Sequence, residues 1–169
     1  MSEKNEQMDI DPTPSSGPVE VFYSYAHADE AFKTEMEKHL SLLRRDEIIA
    51  AWHDRNISAG TEWKTEIDEH LESAAIILLL ISADFLASDY CFEIEMKRAM
   101  ERHSEKSACV IPVILRECDW SSAPFSRLQA LPKNAQPIRS WGDPDKAYKD
   151  VAIGIRRAVA EMFPQWACR

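Results

Sequence analysis

Ala75-Ile76-Ile77-Leu78-Leu79-Leu80-Ile81-Ser82 carries no polar position before its final serine. A strand with one wet face alternates apolar and polar residues, so a run without alternation describes a parallel strand covered by helices on both faces. The run is far shorter than the roughly 20 apolar residues a membrane span needs. It therefore reads as the central strand of an α/β sheet.

The neighbouring segments agree with that reading. Upstream, Val19-Glu20-Val21-Phe22-Tyr23-Ser24-Tyr25 is rich in β-branched and aromatic residues and predicts a first strand ending near Tyr25. Phe32, Met36, Leu40 and Leu43 then recur at helical spacing, with Asp29 placed to cap or favour the helix N-terminus. Residues 47–52 predict a second strand, 54–61 a polar loop, and Trp63, Ile67, Leu71 and Ala74 one face of a second helix. Downstream, Phe92, Met96 and Ala99/Met100 mark a third helix, and Cys109–Leu115 a buried strand whose Pro112 belongs near a bulge or an edge. Residues 116–135 read mostly as loop and Gln136-Pro137-Ile138-Arg139 as a short edge strand. Tyr148, Val151, Ile155, Val159 and Met162 line a final amphipathic helix. The alternation predicts a flavodoxin-like, doubly wound α/β sheet of about five parallel strands with helices on both faces.

At 169 residues the chain suits one domain. Residues 1–18, polar and rich in Pro and Ser, read as a disordered leader, 19–163 as the domain, and 164–169 as a C-terminal tail or truncated linker. Twenty basic against 29 acidic residues give a formal charge of -9, with no basic cluster, which argues against nucleic acid as a direct partner. The polar N-terminus shows no signal-peptide pattern, so no membrane association and a cytoplasmic location are expected. The four cysteines lie far apart, without a CxxC pair, and read as free thiols.

In an open parallel sheet ligands bind beyond the carboxyl ends of the strands, which gathers loops 24–30, 54–61 and 83–95 on one rim. That rim has no GxGxxG and no GxxxxGK[ST], and the chain's four glycines are not placed to cradle phosphate. Five histidines occur singly, without HExxH, so no metal site is expected. Neither Ser24 nor Ser82 has a partnered base in the sequence, and a serine ending a strand is ordinarily a cap. The carboxylates after the central strand stand out instead. Counted around the helix from Phe92 and Met96, Glu95 lies beside the buried stripe and Glu93 turns toward solvent. From position alone, both equally suit a simple electrostatic role at a helix N-terminus.

VFYSYAHADEAF at 21–32 resembles the first strand and loop of Toll/interleukin receptor (TIR) domains. DRNISAGTEW at 54–63 is similar to that family's BB loop, and residues 75–100 resemble the strand and helix that carry its catalytic glutamate. The stretch 119–141 is similar to bacterial members, so the resemblance spans roughly residues 19–163. Enzymatic members hydrolyse NAD between nicotinamide and ribose, NAD being substrate rather than cofactor. Matching EMKRAM to the family pattern implies Glu95 as the catalytic residue. The usual spacing from the preceding aromatic residue is one shorter than Tyr90 to Glu95, which leaves either a one-residue insertion or Glu93 as the rival.

The resemblance further implies that Ser24, Tyr25 and Ala26 line the nucleotide site, that Arg55 approaches a phosphate, and that Tyr90 and Cys91 border the ribose. Plainer roles stand beside these: Tyr25 as a core aromatic, Arg55 as a solvated loop charge, Tyr90 as a staple at helix entry. Implied partners are NAD, other TIR domains in a homo-oligomer or filament docking through loop 54–61, and a sensor that clusters them. The activity implied is an NAD glycohydrolase of antiphage immunity, with cyclisation of ADP-ribose as a possible outcome; a non-enzymatic TIR–TIR adaptor is the alternative. A receiver-type signalling domain needs an acidic pair after strand one and an Asp ending strand three. Ser24-Tyr25-Ala26 and Ser82 stand there instead.

Overall fold

The computed structural model describes residues 17–51 and 69–162. Their strands are β1 (Val19–Ser24), β2 (Ile49–Ala51), β3 (Ile76–Ile81) and β4 (Cys109–Ile114). The helices are α1 (Glu30–His39), α2 (Ser41–Arg45), α3 (Ala83–Ala87), α4 (Lys97–Ser104) and α5 (Pro144–Met162). A π-helical turn, Tyr90–Met96, runs directly into α4, and helical residues 69–73 lead up to β3.

The described strands pair in the order β2-β1-β3-β4, all parallel. β3 lies inside the sheet, with Val21 opposite Ile76 on one side and Ile76 opposite Cys109 on the other. All six of its side chains are inaccessible to solvent, as the unbroken apolar run demands.

Alternate strand positions feed two apolar layers. Val21, Tyr23, Ile76, Leu78, Leu80, Ile111 and Val113 face α1, α2 and α5, which bury Met36, Leu40, Leu43, Val151, Ile155 and Val159 against them. Phe22, Ile77, Leu79, Ile81, Val110 and Ile114 face the other way, toward Leu71, Phe85, Met96, Ala99, Met100 and Phe125. Helices on both faces of a parallel sheet make the doubly wound fold expected. Among the described residues no helix is long and apolar enough to cross a membrane.

Several details differ from the sequence reading. β1 stops at Ser24, and the first helix breaks at Leu40 into α1 and α2. The expected fifth strand at Gln136–Arg139 is absent; Ile138–Ser140 forms a 3-10 turn. Pro137 lacks an N–H for a ladder; one strand-like bond remains, from Arg139 N to the Leu115 carbonyl at 3.1 Å, while Ser140 N turns back to the Pro137 carbonyl at 2.9 Å and the Trp141 indole to the Gln136 carbonyl at 3.1 Å. The outer side of β4 is met instead by Leu131, which bonds the Pro112 carbonyl and the Ile114 amide, each at 2.8 Å. Pro112 thus presents its donor-free nitrogen to the edge, as a proline in a strand must.

Arg102 of α4 fastens the start of β3. Buried, it donates to the carbonyls of Leu71 at 2.7 Å, Ala74 at 2.6 Å and Ser107 at 2.8 Å, closing the helical end at 69–73 against α4.

Candidate functional site at the carboxyl rim

Ser24 is the last residue of β1 and shares the face of Phe22, the side on which the Tyr90–Met96 turn packs. Its hydroxyl donates to Glu95 Oε1 at 3.0 Å, and both residues are buried, Glu95 at 5% exposure. A carboxyl group so enclosed is tolerated only with hydrogen-bonding partners, which the serine hydroxyl provides. Glu93, two residues earlier, has a side chain 52% exposed and pairs with Lys97 at 2.5 Å across the outer surface. The structure therefore separates the two acids as the helical count expects, one sheltered and one solvated.

Cys91 anchors the same turn from the neighbouring position. Its thiol contacts the Tyr25 carbonyl at 3.3 Å, and its own amide bonds Ser88 Oγ at 3.2 Å. Burial pushes the thiol up to about 11, Ser88 opposing and the charge of Glu95 adding to the rise. A thiol held protonated in this way is a packing and hydrogen-bonding group, not a nucleophile at neutral pH.

Ser24, Cys91, Glu95 and the backbone of Tyr25 are thus directly connected. Ala26 is buried immediately beyond. The ring of Tyr25 packs on the opposite apolar layer, with Lys33 Nζ 5.5 Å from its centroid, so its backbone rather than its ring approaches Cys91. Tyr90 is half-buried against the layer that holds Phe22. Arg55 and loop 54–61 lie outside the described residues.

A second constellation on this rim has no counterpart in the sequence reading. Asp29, at 1% exposure, makes no side-chain cap to α1. Its carboxylate accepts from Ser82 Oγ and from Arg116, whose Nε and Nη2 stand 3.1 and 3.0 Å away. Arg116 also reaches Asp84 Oδ2 at 2.5 Å. Burial disfavours the guanidinium charge, but Asp84 and Asp29 outweigh it and hold the group above its ordinary value. Ser82 additionally caps α3, accepting from the Phe85 amide at 3.1 Å, the role expected of a serine ending a strand. The network ties together the chain leaving β1, β3 and β4. Its one signal in the sequence is position, since Arg116 stands two residues past the end of β4 at the rim.

A parallel doubly wound sheet with a sheltered acid beyond the end of β1 makes an α/β protein whose candidate site is at the carboxyl rim. The model of the TIR domain family matches residues 21–151, and the chain belongs to that family. An uncharacterised protein of Sinorhizobium fredii, y4lF, is 52% identical over 142 residues, 84% of this chain and 44% of that protein. The chain thus spans less than half the length of this relative. Among solved structures, the TIR domain of the Toll-related receptor TRR-2 from Hydra magnipapillata is similar at a TM-score of 0.56 and 19% identity, covering 80% of this chain and 97% of that one. The TIR domains of the activated Roq1 resistosome, which recognises the pathogen effector XopQ, give a TM-score of 0.50 at 16% identity, over 88% of this chain and 78% of that one. At such identities these two likenesses are likenesses of fold.

Proposed function

We propose that the chain is an NAD glycohydrolase that works in the bacterial cytosol, switched on by self-assembly in antiphage defence, with Glu95 as its catalytic residue. The observation that carries this reading is the buried Glu95 carboxyl group held by Ser24 at the carboxyl end of β1, in a chain of the TIR family. The nicotinamide of NAD is already a cationic leaving group and needs no general acid. Its C–N bond to ribose C1′ breaks, the electron pair leaves with neutral nicotinamide, and positive charge develops on the ribose. A preorganised carboxylate stabilises that charge and orients the ribose hydroxyls. Water then adds at C1′ and loses a proton, giving ADP-ribose; attack by the adenine instead gives a cyclic product.

In this reading Ser24 orients the acid, Tyr25 and Ala26 border the nucleotide, and Tyr90 and Cys91 flank the ribose. Arg55 serves a phosphate, and loop 54–61 docks on a neighbouring copy once a sensor has clustered them. The fold shared with TIR domains of the activated Roq1 resistosome supports the assembly part.

The test is nicotinamide release by concentrated or artificially clustered protein, with products separated by chromatography. Glu95→Ala should lose roughly a hundred- to a thousandfold in rate, as when a preorganised electrostatic group is removed, while Glu93→Ala stays near wild type. No turnover by clustered wild type would replace this reading with the TIR–TIR adaptor.

A further inference from the structure

Wound as a regular α-helix, the buried residues Cys91, Glu95, Met96, Ala99 and Met100 would spread over about 180°, half the circumference. At about 100° per residue, Met100 would point roughly opposite Cys91, and Ala99 about 80° away from it. In the structure Tyr90–Met96 is a π-helical turn, and all five side chains are buried. A π turn takes one residue more than an α turn, cancelling about 100° of rotation and bringing Ala99 and Met100 round toward the side of Cys91. Cys91 can then bond the Tyr25 carbonyl, Glu95 can meet Ser24, and the α4 side chains can still pack on Ile77 and Ile81. Ile94, 42% exposed, lies on the outer side of this turn.

We infer that the Tyr90–Met96 turn holds one surplus residue whose accommodation sets the register of Glu95 against Ser24, making the turn the positioning element of the site. Its catalytic meaning rests on the reading of Glu95 given above; the register itself does not.

A one-residue deletion and a one-residue insertion damage an ordinary α-helix alike, since each rotates everything beyond it by about 100°. A helix already carrying a surplus residue responds asymmetrically. Deleting Ile94 removes the residue and the wide turn together, so Glu95, Met96, Ala99 and Met100 keep their faces. Inserting an alanine after Ile94 turns Met96 to Met100 out of the core.

Three readouts are taken on both variants: the urea midpoint, the alkylation rate of Cys91 followed on its own peptide by mass spectrometry, and kcat and KM for NAD on clustered protein. The Ile94 deletion should leave the midpoint near wild type, Cys91 protected to within about threefold, and kcat within about tenfold and still abolished by Glu95→Ala. The insertion should raise Cys91 alkylation by at least about tenfold through local opening. Equal damage from both variants, or a deletion that fails to fold, would overturn the register. A deletion that keeps the fold and shields Cys91 but loses the Glu95-dependent rate seen in wild type would overturn the positioning role. A wild type without NAD cleavage would sink the glycohydrolase reading while the midpoint and thiol data still decide the register.

Discussion

Asp29→Asn is the substitution that most directly weighs the rim network. Asparagine keeps the shape of the side chain and removes its charge, so little packing is lost. What changes is the pairing of a carboxylate at 1% exposure with the Nε and Nη2 of Arg116 and the hydroxyl of Ser82. Hydrogen bonds to a charged group contribute about 1.5–3 kcal/mol each, and breaking one side of a buried ion pair costs about 3–5 kcal/mol. Two features reduce that cost: the Arg116 side chain is 22% exposed, so water can reach it, and it keeps Asp84. The expected loss is therefore about 2–4 kcal/mol, or roughly 6–12 °C in Tm for a central value of about 3 kcal/mol in a chain of this size. Urea unfolding should show a lowered midpoint with an unchanged slope. Asp84→Asn, whose side chain is 51% exposed, should cost at most about 1 kcal/mol. Arg116→Met in the Asp29→Asn background should cost much less than in wild type, because the charge it removes has already lost its buried partner. A loss under about 0.5 kcal/mol for Asp29→Asn, or equal losses at positions 29 and 84, would refute the assignment of the buried pair as the centre of the network.

Two further outcomes are expected. Arg102→Met strips a charged donor from the carbonyls of Leu71, Ala74 and Ser107 and should cost about 3 kcal/mol, with amide exchange accelerating first at residues 69–75; lysine, which lacks the guanidinium fork, should not rescue it, and a full rescue would show that charge alone suffices. Cys91 provides a pH test: burial, aided by Glu95 and opposed by Ser88, raises its thiol from 9.0 to about 11, so the folded state holds this proton longer than the unfolded chain. Its contribution to stability is complete below about pH 9 and falls as pH rises toward 11. Cys91→Ala should flatten that part of the urea-midpoint profile, and parallel profiles for the two proteins would assign the fall to other groups.

The sheet is legible in the sequence where burial leaves a one-dimensional trace. β3 is enclosed on both faces and has no polar position before Ser82; α5 buries Val151, Ile155 and Val159 at helical spacing. The fifth strand is a misreading because an apolar residue between Pro137 and Arg139 fits an edge strand and a 3-10 turn equally well in sequence. The missing Pro137 donor and the local bonds of Ser140 and Trp141 decide for the turn. The Asp29–Arg116 pair leaves no local pattern, only rim position, because its members are 87 positions apart in the chain and joined by the convergence of strand ends. Asp29 looks like a helix cap because a local role is the one a sequence can display.

Counting an α-helix puts Glu95 on its sheltered face, although the segment counted through is not an α-helix. The count succeeds because it is anchored on Met96, the adjacent residue, where one residue's rotation leaves little room for error whichever period holds. Phe92, the other anchor, is itself only half-buried. Phe92 and Met96 are four residues apart, so either anchor places Glu95 beside the same stripe, and its carboxyl group meets Ser24 from within the wide turn.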